Sequence, residues 1–172
     1  MPAEDIELLV LDIDGVLTDG RIIYADSGEL IKAFDVTDGT GIKYWHRLGK
    51  VSALISGRDS AAVTKRADEL GIERVSQGVK DKLPVFERLL EELGRGAAQT
   101  AYVGDDLTDL PVMRAVGFSV APAQARPEVR AAADYVTRAE GGRGAVREVI
   151  ELMLKAQGLW EGIMKRYLPD GQ

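Results

Sequence analysis

Apolar, strand-like runs that alternate with amphipathic helical stretches predict an α/β fold for this chain. The expected architecture is a doubly wound (Rossmann-like) parallel sheet with helices on both faces and one small β-hairpin insertion. Three observations carry that expectation. Leu8-Leu9-Val10-Leu11 is apolar without alternation, as in a strand covered on both faces. Val51-Ser52-Ala53-Leu54-Ile55 and Thr100-Ala101-Tyr102-Val103 repeat the pattern. The stretches between them place apolar residues on one helical face and end at glycines such as Gly71 and Gly94.

Taken in order, a strand is expected over 6–11 and a hairpin near 21–35, where Arg21-Ile22-Ile23-Tyr24 and Leu30-Ile31-Lys32-Ala33-Phe34 flank the turn signal Asp26-Ser27-Gly28. A helix over 39–48 and a strand over 51–55 follow. The next helix, 59–70, has Asp59 as its expected N-cap and Val63, Ala67 and Leu70 on its apolar face. Strand 73–76 leads to helix 81–93, with the stripe Phe86, Leu89, Leu90 and Leu93, and then to strand 100–103. Short elements near 107–115, 117–120, 127–132 and 134–136 precede a helix over 144–157, whose stripe is Val146, Val149, Ile150, Met153 and Leu154. The tail from about 159 to 172 repeats the spacing with Trp160, Ile163, Met164, Tyr167 and Leu168, so it needs a surface to cover.

The 172 residues, 45% hydrophobic, suit a single domain with one core. No run of apolar residues is long enough for a membrane span, and no charged-then-apolar leader is visible. The lack of Cys excludes disulfides and thiol catalysis and fits a cytoplasmic protein. A net charge of -6 without a basic block argues against nucleic acid as a partner.

Chemistry gathers where strands end. Asp12 and Asp14 leave the first strand at its carboxyl end, where open α/β sheets bind ligands, and Gly15 lets the chain turn. Residues i and i+2 of a strand share a side, so both acids reach one site. Taken alone, the pair also fits a turn with a helix cap. Ser56-Gly57-Arg58 follows the second long strand, offering a hydroxyl and backbone N–H groups at an expected helix start, a favourable place for an anion. Lys82 stands in the first turn of a helix, where the dipole disfavours a cation unless an anion binds; a solvated lysine is the alternative. Gly104-Asp105-Asp106-Leu107-Thr108-Asp109 ends the third strand, and Asp106 or Asp109 alone would also read as a helix cap.

Together, Asp12, Asp14, Asp105, Asp106 and Asp109 would crowd one end of the sheet. Two unit charges about 4 Å apart repel by roughly 4 kcal/mol at an effective dielectric of about 20. The cluster therefore calls for a cation, and an all-oxygen donor set points to Mg²⁺.

These residues resemble the haloacid dehalogenase superfamily of phosphohydrolases: Asp12-x-Asp14-Gly15, Ser56, Lys82 and Gly104-Asp105-Asp106-x-x-Asp109 occur in that order at strand ends. Asp35-Val36-Thr37-Asp38-Gly39-Thr40-Gly41-Ile42, Ile55-Ser56-Gly57-Arg58, Tyr102-Val103-Gly104-Asp105-Asp106-Leu107 and Gly141-Gly142-Arg143-Gly144-Ala145-Val146-Arg147-Glu148 are similar to 3-deoxy-D-manno-octulosonate 8-phosphate phosphatases. Position 37, often basic in that family, is Thr here.

The resemblance implies Asp12 as nucleophile, Asp14 as acid and base, and Mg²⁺ held by Asp12, the backbone carbonyl of Asp14, and Asp105. It implies Gly15, Ser56, Gly57, Arg58 and Lys82 around the phosphate and the rest of a sugar-acid substrate, with Asp106 and Asp109 orienting Lys82 or metal-bound water. No cap domain fits in so short an insertion, so the resemblance further implies a homotetramer whose hairpins associate, with each tail reaching toward a neighbour's active site; a hairpin and a tail that each fold on their own domain are the alternatives. A nine-carbon sugar-acid phosphate is an alternative substrate. A signalling receiver domain is a remote alternative function, since receivers place their phosphoacceptor Asp after a later strand.

Overall fold

The computed structural model describes residues 2–168. β1 (Leu8–Leu11) lies inside a six-stranded parallel sheet, between β4 (Val51–Ile55) and β6 (Thr100–Val103). β5 (Arg74–Ser76) flanks β4 on one side, and β7 (Phe118–Ala121) and β8 (Tyr135–Val136) extend the sheet beyond β6. Leu8 pairs with Val51 and Thr100, and Leu11 with Leu54 and Val103, so β1, β4 and β6 end at the same level.

Period-two alternation divides the core in two. Leu9 and Leu11 face α1 (Val36–Arg47), α2 (Ala61–Leu70), α6 (Ala145–Ala156) and α7 (Trp160–Lys165). Leu8 and Val10 face α3 (Lys82–Leu93), α4 (Leu110–Met113) and α5 (Pro127–Ala132). All four β1 residues are completely buried, as the unbroken apolar run requires. α1 packs tightly on α6 because Gly41 has no side chain: a Cβ there would meet the Arg147 Cα at 3.3 Å. Asp38 fastens the same pair, accepting from the Arg147 N–H at 2.8 Å and the Gly144 N–H at 3.3 Å at the start of α6.

Several boundaries differ from those the sequence predicts. α1 starts at Val36, not 39, because Asp35 caps it by accepting from the Thr37 and Asp38 N–H groups. Gly39 and Gly41 are contact points inside the helix. α2 starts at Ala61 with Ser60, not Asp59, at the N-cap; the Ser60 N–H donates to Gln77 Oε1 at 2.8 Å, which holds residue 60 extended. The stretch after β6 splits into a 3₁₀ turn, Leu107–Asp109, and α4.

The hairpin shrinks to β2 (Ile23–Tyr24) and β3 (Leu30–Ile31), antiparallel and closed by the Ala25 N–H donating to the Glu29 carbonyl at 2.9 Å. Ile22, Ile23, Tyr24 and Ile31 are left exposed.

Through residue 168 the tail docks on its own domain, one of the two placements expected for its apolar stripe. Trp160 meets Tyr44 edge-on at 6.1 Å between ring centroids, Tyr167 lies tilted against Tyr44 at 5.9 Å, and Arg47 donates to the Tyr167 hydroxyl at 2.9 Å. Arg147 lies over the Tyr44 ring at 4.8 Å, so the aromatic surface of α1 is covered from both sides. The expectation for 169–172 lies outside the described residues.

Trp160→Ala should lower stability by about 2 kcal/mol, below the range of about 3–5 kcal/mol for fully buried aromatic truncations because the residue is only half-buried. The thermal midpoint should then fall by about 4–8 °C. An unchanged midpoint would show that the tail contributes nothing by docking.

Candidate active site

After β1 the chain folds back at once. The Ile13 carbonyl accepts from the Val16, Leu17 and Thr18 N–H groups at 3.2, 2.9 and 3.1 Å, while the Ile13 side chain is completely buried. That anchor turns Asp12 and Asp14 together into a cleft of about 290 Å³, whose lining also includes Ser56, Gly57, Arg58, Lys82, Asp105 and Asp106. Loops after β1, β4 and β6 thus meet where open sheets bind ligands, next to the point where the connection from β5 crosses β1 to reach β6.

Lys82 is the hub. Its ammonium sits 2.8 Å from Asp12 Oδ1 and 2.7 Å from Asp109 Oδ1, with only 5% of its side chain exposed. Burial works against its charge, but the Asp12 and Asp109 carboxylates more than compensate and raise its pKa. Asp109 is completely buried and fully engaged: Oδ1 also accepts from the Tyr102 hydroxyl at 2.6 Å, and Oδ2 from the Asp105 and Asp106 N–H groups at 3.0 and 3.1 Å. Asp106 is exposed and accepts from the Leu107 N–H at 2.8 Å, the helix-capping alternative of the sequence.

Oxygens of Asp12, Asp105 and Asp109 lie within 4.8 Å of one another. Burial, then the Asp12, Asp109 and Asp106 charges, push Asp105 up to about 7; burial and Asp109 push Asp12 up to about 6 despite Lys82. Such unrelieved negative charge in an all-oxygen setting fits a hard divalent cation. Because both Asp109 oxygens are already committed, Asp12 and Asp105 are the side chains free to bind it.

Gly15 matters by its missing side chain. It has φ +89°, and a Cβ there would fall 2.1 Å from Asp105 Oδ2. Its N–H faces Thr18 Oγ1 at 3.4 Å and its carbonyl accepts from Gln124 Nε2 at 2.6 Å, so neither is directed to the cleft. Gly141 presses on the same carbonyl, where a Cβ would come within 1.8 Å, and its N–H donates to Gln124 Oε1 at 2.8 Å.

Ser56 is buried at the rim, but α2 begins only at Ala61, so any anion there meets loop N–H groups and not a helix end. Ser56 Oγ accepts from the Arg58 N–H at 3.3 Å. Arg58 is mostly exposed, its Nε 3.7 Å from Asp14 Oδ2. Thr37 does not line the cleft; it donates from its N–H to Asp35 Oδ1 at 2.6 Å in the first turn of α1.

Sequence reasoning misses Lys32, which pairs with Asp14 Oδ1, and also Tyr102, Gln124, Lys80 and Thr108. Only Tyr102 carried a signal, as a hydroxyl inside an otherwise apolar strand.

Against this geometry, comparisons with known proteins are specific. The haloacid dehalogenase-like hydrolase family matches over residues 72–150. The 3-deoxy-D-manno-octulosonate 8-phosphate phosphatase KdsC of Escherichia coli K12 is 52% identical over 156 residues, 91% of this chain and 83% of that protein. The chain belongs to the 3-deoxy-D-manno-octulosonate 8-phosphate phosphatase family. The Moraxella catarrhalis phosphatase of this family, crystallised with magnesium, phosphate and KDO, superposes with a TM-score of 0.95 at 43% identity over 97% of this chain and 96% of that one. The Yersinia pestis family member gives a TM-score of 0.92 at 48% identity, over 94% and 87% of the respective chains.

The raised carboxyls set a pH dependence. Asp12 and Asp105 hold protons more tightly folded than at their ordinary value of 3.8, so without divalent cation stability is full below about 4 and is lost as pH rises toward about 6 and 7. In chelator, the thermal midpoint attributable to these groups should fall across that window, and Mg²⁺ should restore it at pH 8. A midpoint flat from pH 4 to 8 in chelator, or indifferent to Mg²⁺, would contradict the charge balance described.

Proposed function

We propose that the protein is a Mg²⁺-dependent phosphomonoesterase that hydrolyses 3-deoxy-D-manno-octulosonate 8-phosphate through an aspartyl-phosphate on Asp12. The observation that carries this reading is the buried Lys82 bridging Asp12 and Asp109 beside Asp105, in a chain 52% identical to phosphatases of that name.

Mg²⁺, held by Asp12, the Asp14 backbone carbonyl and Asp105, would screen the phosphate's charge and polarise its oxygens. Asp12 attacks phosphorus as the bond to the sugar oxygen breaks, and Asp14 gives that oxygen its proton. Water then attacks phosphorus, Asp14 takes its proton, and the acyl-phosphate bond breaks to return Asp12 and inorganic phosphate. Lys82 has three donors; Asp12 and Asp109 use two, leaving one for a phosphoryl oxygen. Ser56 and Gly57 also line the cleft, where the Ser56 hydroxyl and the Gly57 N–H can hold the other oxygens. Asp109 keeps Lys82 in place, and Asp106 stabilises the turn that carries Asp109.

Arg58, exposed at the mouth, is placed to pair with the carboxylate of a sugar acid. The named relatives act on the eight-carbon acid, which favours it over the nine-carbon analogue. Thr37 belongs to the cap of α1 and does not line the cleft, so its departure from a basic residue leaves the cleft as described. Association into a homotetramer through the hairpins is supported by the exposed Ile22, Ile23, Tyr24 and Ile31. A cysteine-free sequence is consistent with a cytoplasmic setting. Among the described residues no helix is long and apolar enough to cross a membrane.

Asp12→Asn should reduce Mg²⁺-dependent phosphate release by about 10⁴-fold or more with an unchanged far-UV spectrum; appreciable residual turnover would sink the nucleophile assignment. Across a panel of sugar phosphates, kcat/KM should be at least about tenfold higher for the eight-carbon acid than for any other member. Arg58→Ala should raise KM for that substrate by about tenfold and for p-nitrophenyl phosphate by much less. Equal effects would remove the substrate-reading role.

A further inference from the structure

Lys32 stands on the hairpin, two residues beyond Leu30, yet its side chain is only 3% exposed. Burying an ammonium that deeply is costly unless it is paired. Among the described residues its ion-pair partner is Asp14, through Oδ1. Lys32 is not among the residues that line the catalytic cleft; with Phe34 and Val36 it lines a separate hollow that α2 residues Ala62 and Arg66 also line. The two carboxyl oxygens are thereby divided. Oδ1 is taken by Lys32, and Oδ2 is the one beside Arg58 at the cleft. A carboxyl group free to rotate about its side-chain torsions would present either oxygen, in several directions; an ammonium fixed on one oxygen leaves the other to exchange the proton.

We propose that Lys32 is a positioning residue for Asp14: it fixes the carboxyl so that Oδ2 faces the departing oxygen, and so couples the hairpin to the proton-transfer step. The inference rests on the reading of Asp14 as acid and base. The rest of the hairpin makes the assignment pointed, because its ladder has only two residue pairs and its outer side chains are exposed. Such a hairpin is marginal alone in water, and the inward contact of Lys32 with Asp14 joins it directly to the chemistry.

The test compares two leaving groups. An alkyl phosphate such as 3-deoxy-D-manno-octulosonate 8-phosphate needs its departing oxygen protonated, whereas the nitrophenolate of p-nitrophenyl phosphate leaves without a proton. Lys32→Met should lower kcat on the sugar phosphate about tenfold more than on p-nitrophenyl phosphate, as expected for a general acid left about an ångström out of place. Lys32→Arg should recover most of the difference, and Lys32→Gln should resemble Lys32→Met. Asp14→Asn is the reference and should discriminate at least as strongly. Equal losses on both substrates in Lys32→Met and Lys32→Gln, with Asp14→Asn still discriminating, would overturn the positioning role alone. So would a raised KM with kcat intact. An Asp14→Asn variant that loses both activities equally would overturn the acid assignment and the inference with it.

Discussion

A buried ammonium is costly to keep unless carboxylates surround it, and Lys82 meets that condition twice, at 2.8 Å from Asp12 and 2.7 Å from Asp109. The two bonds tie the start of α3 to the ends of β1 and β6. They also overcome the field of the α3 dipole, which opposes a cation in its first turn. Removing either acid leaves the ammonium half-compensated in a dry place; removing the lysine leaves two buried carboxylates facing each other. The positions of the nucleophile, of Tyr102 and of the 105–109 turn all follow from this one arrangement, because Asp109 spends its remaining hydrogen-bonding capacity on them.

Charge balance at the cleft follows from the same constraint. Lys82 neutralises part of the acid cluster, but burial and the neighbouring Asp12, Asp109 and Asp106 charges outweigh it at Asp105, which is pushed up to about 7. The protein therefore holds Asp12 and Asp105 close by packing, with Gly15 providing the space, and leaves their electrostatic relief to an ion. Rigid placement of groups that repel one another is what preorganisation of a metal site means physically. The strain is carried by a core that is completely buried along β1.

Much of this was legible from residue order. Unalternating apolar runs located β1, β4 and β6, and acids at their carboxyl ends located the cleft, since both depend on local pattern. Lys82 stood out because a cation in a first helical turn contradicts the dipole. Lys32 did not, because a lysine on a short two-stranded hairpin looks solvated until the hairpin's placement is known. Gln124 was invisible for a similar reason: its bonds to Gly15 and Gly141 join segments far apart in sequence. Helix starts were misplaced where tertiary contacts decided them. Gly39 and Gly41 lie inside α1 and serve close approach, and Ser60 displaces Asp59 as cap because Gln77 holds its N–H. The tail's stripe correctly demanded a partner surface, but only the fold shows that Tyr44, Arg47 and Arg147 provide it through residue 168.

Gln124 and Gly141 have a consequence for the order in which the molecule can assemble. The nucleophile is made early, on β1, but the loop that carries it is braced by a glutamine 109 residues later and by a glycine later still. As the chain leaves the ribosome, Asp12 and Asp14 are therefore present long before anything can hold Gly15 in place. Contacts this distant in sequence close late and slowly. A nascent chain that ends with β7 at Ala121 can pair β1 with β4 and β6 while its acidic loop still lacks Gln124 and Gly141. The geometry of the acidic loop thus depends on segments made well after the acids themselves.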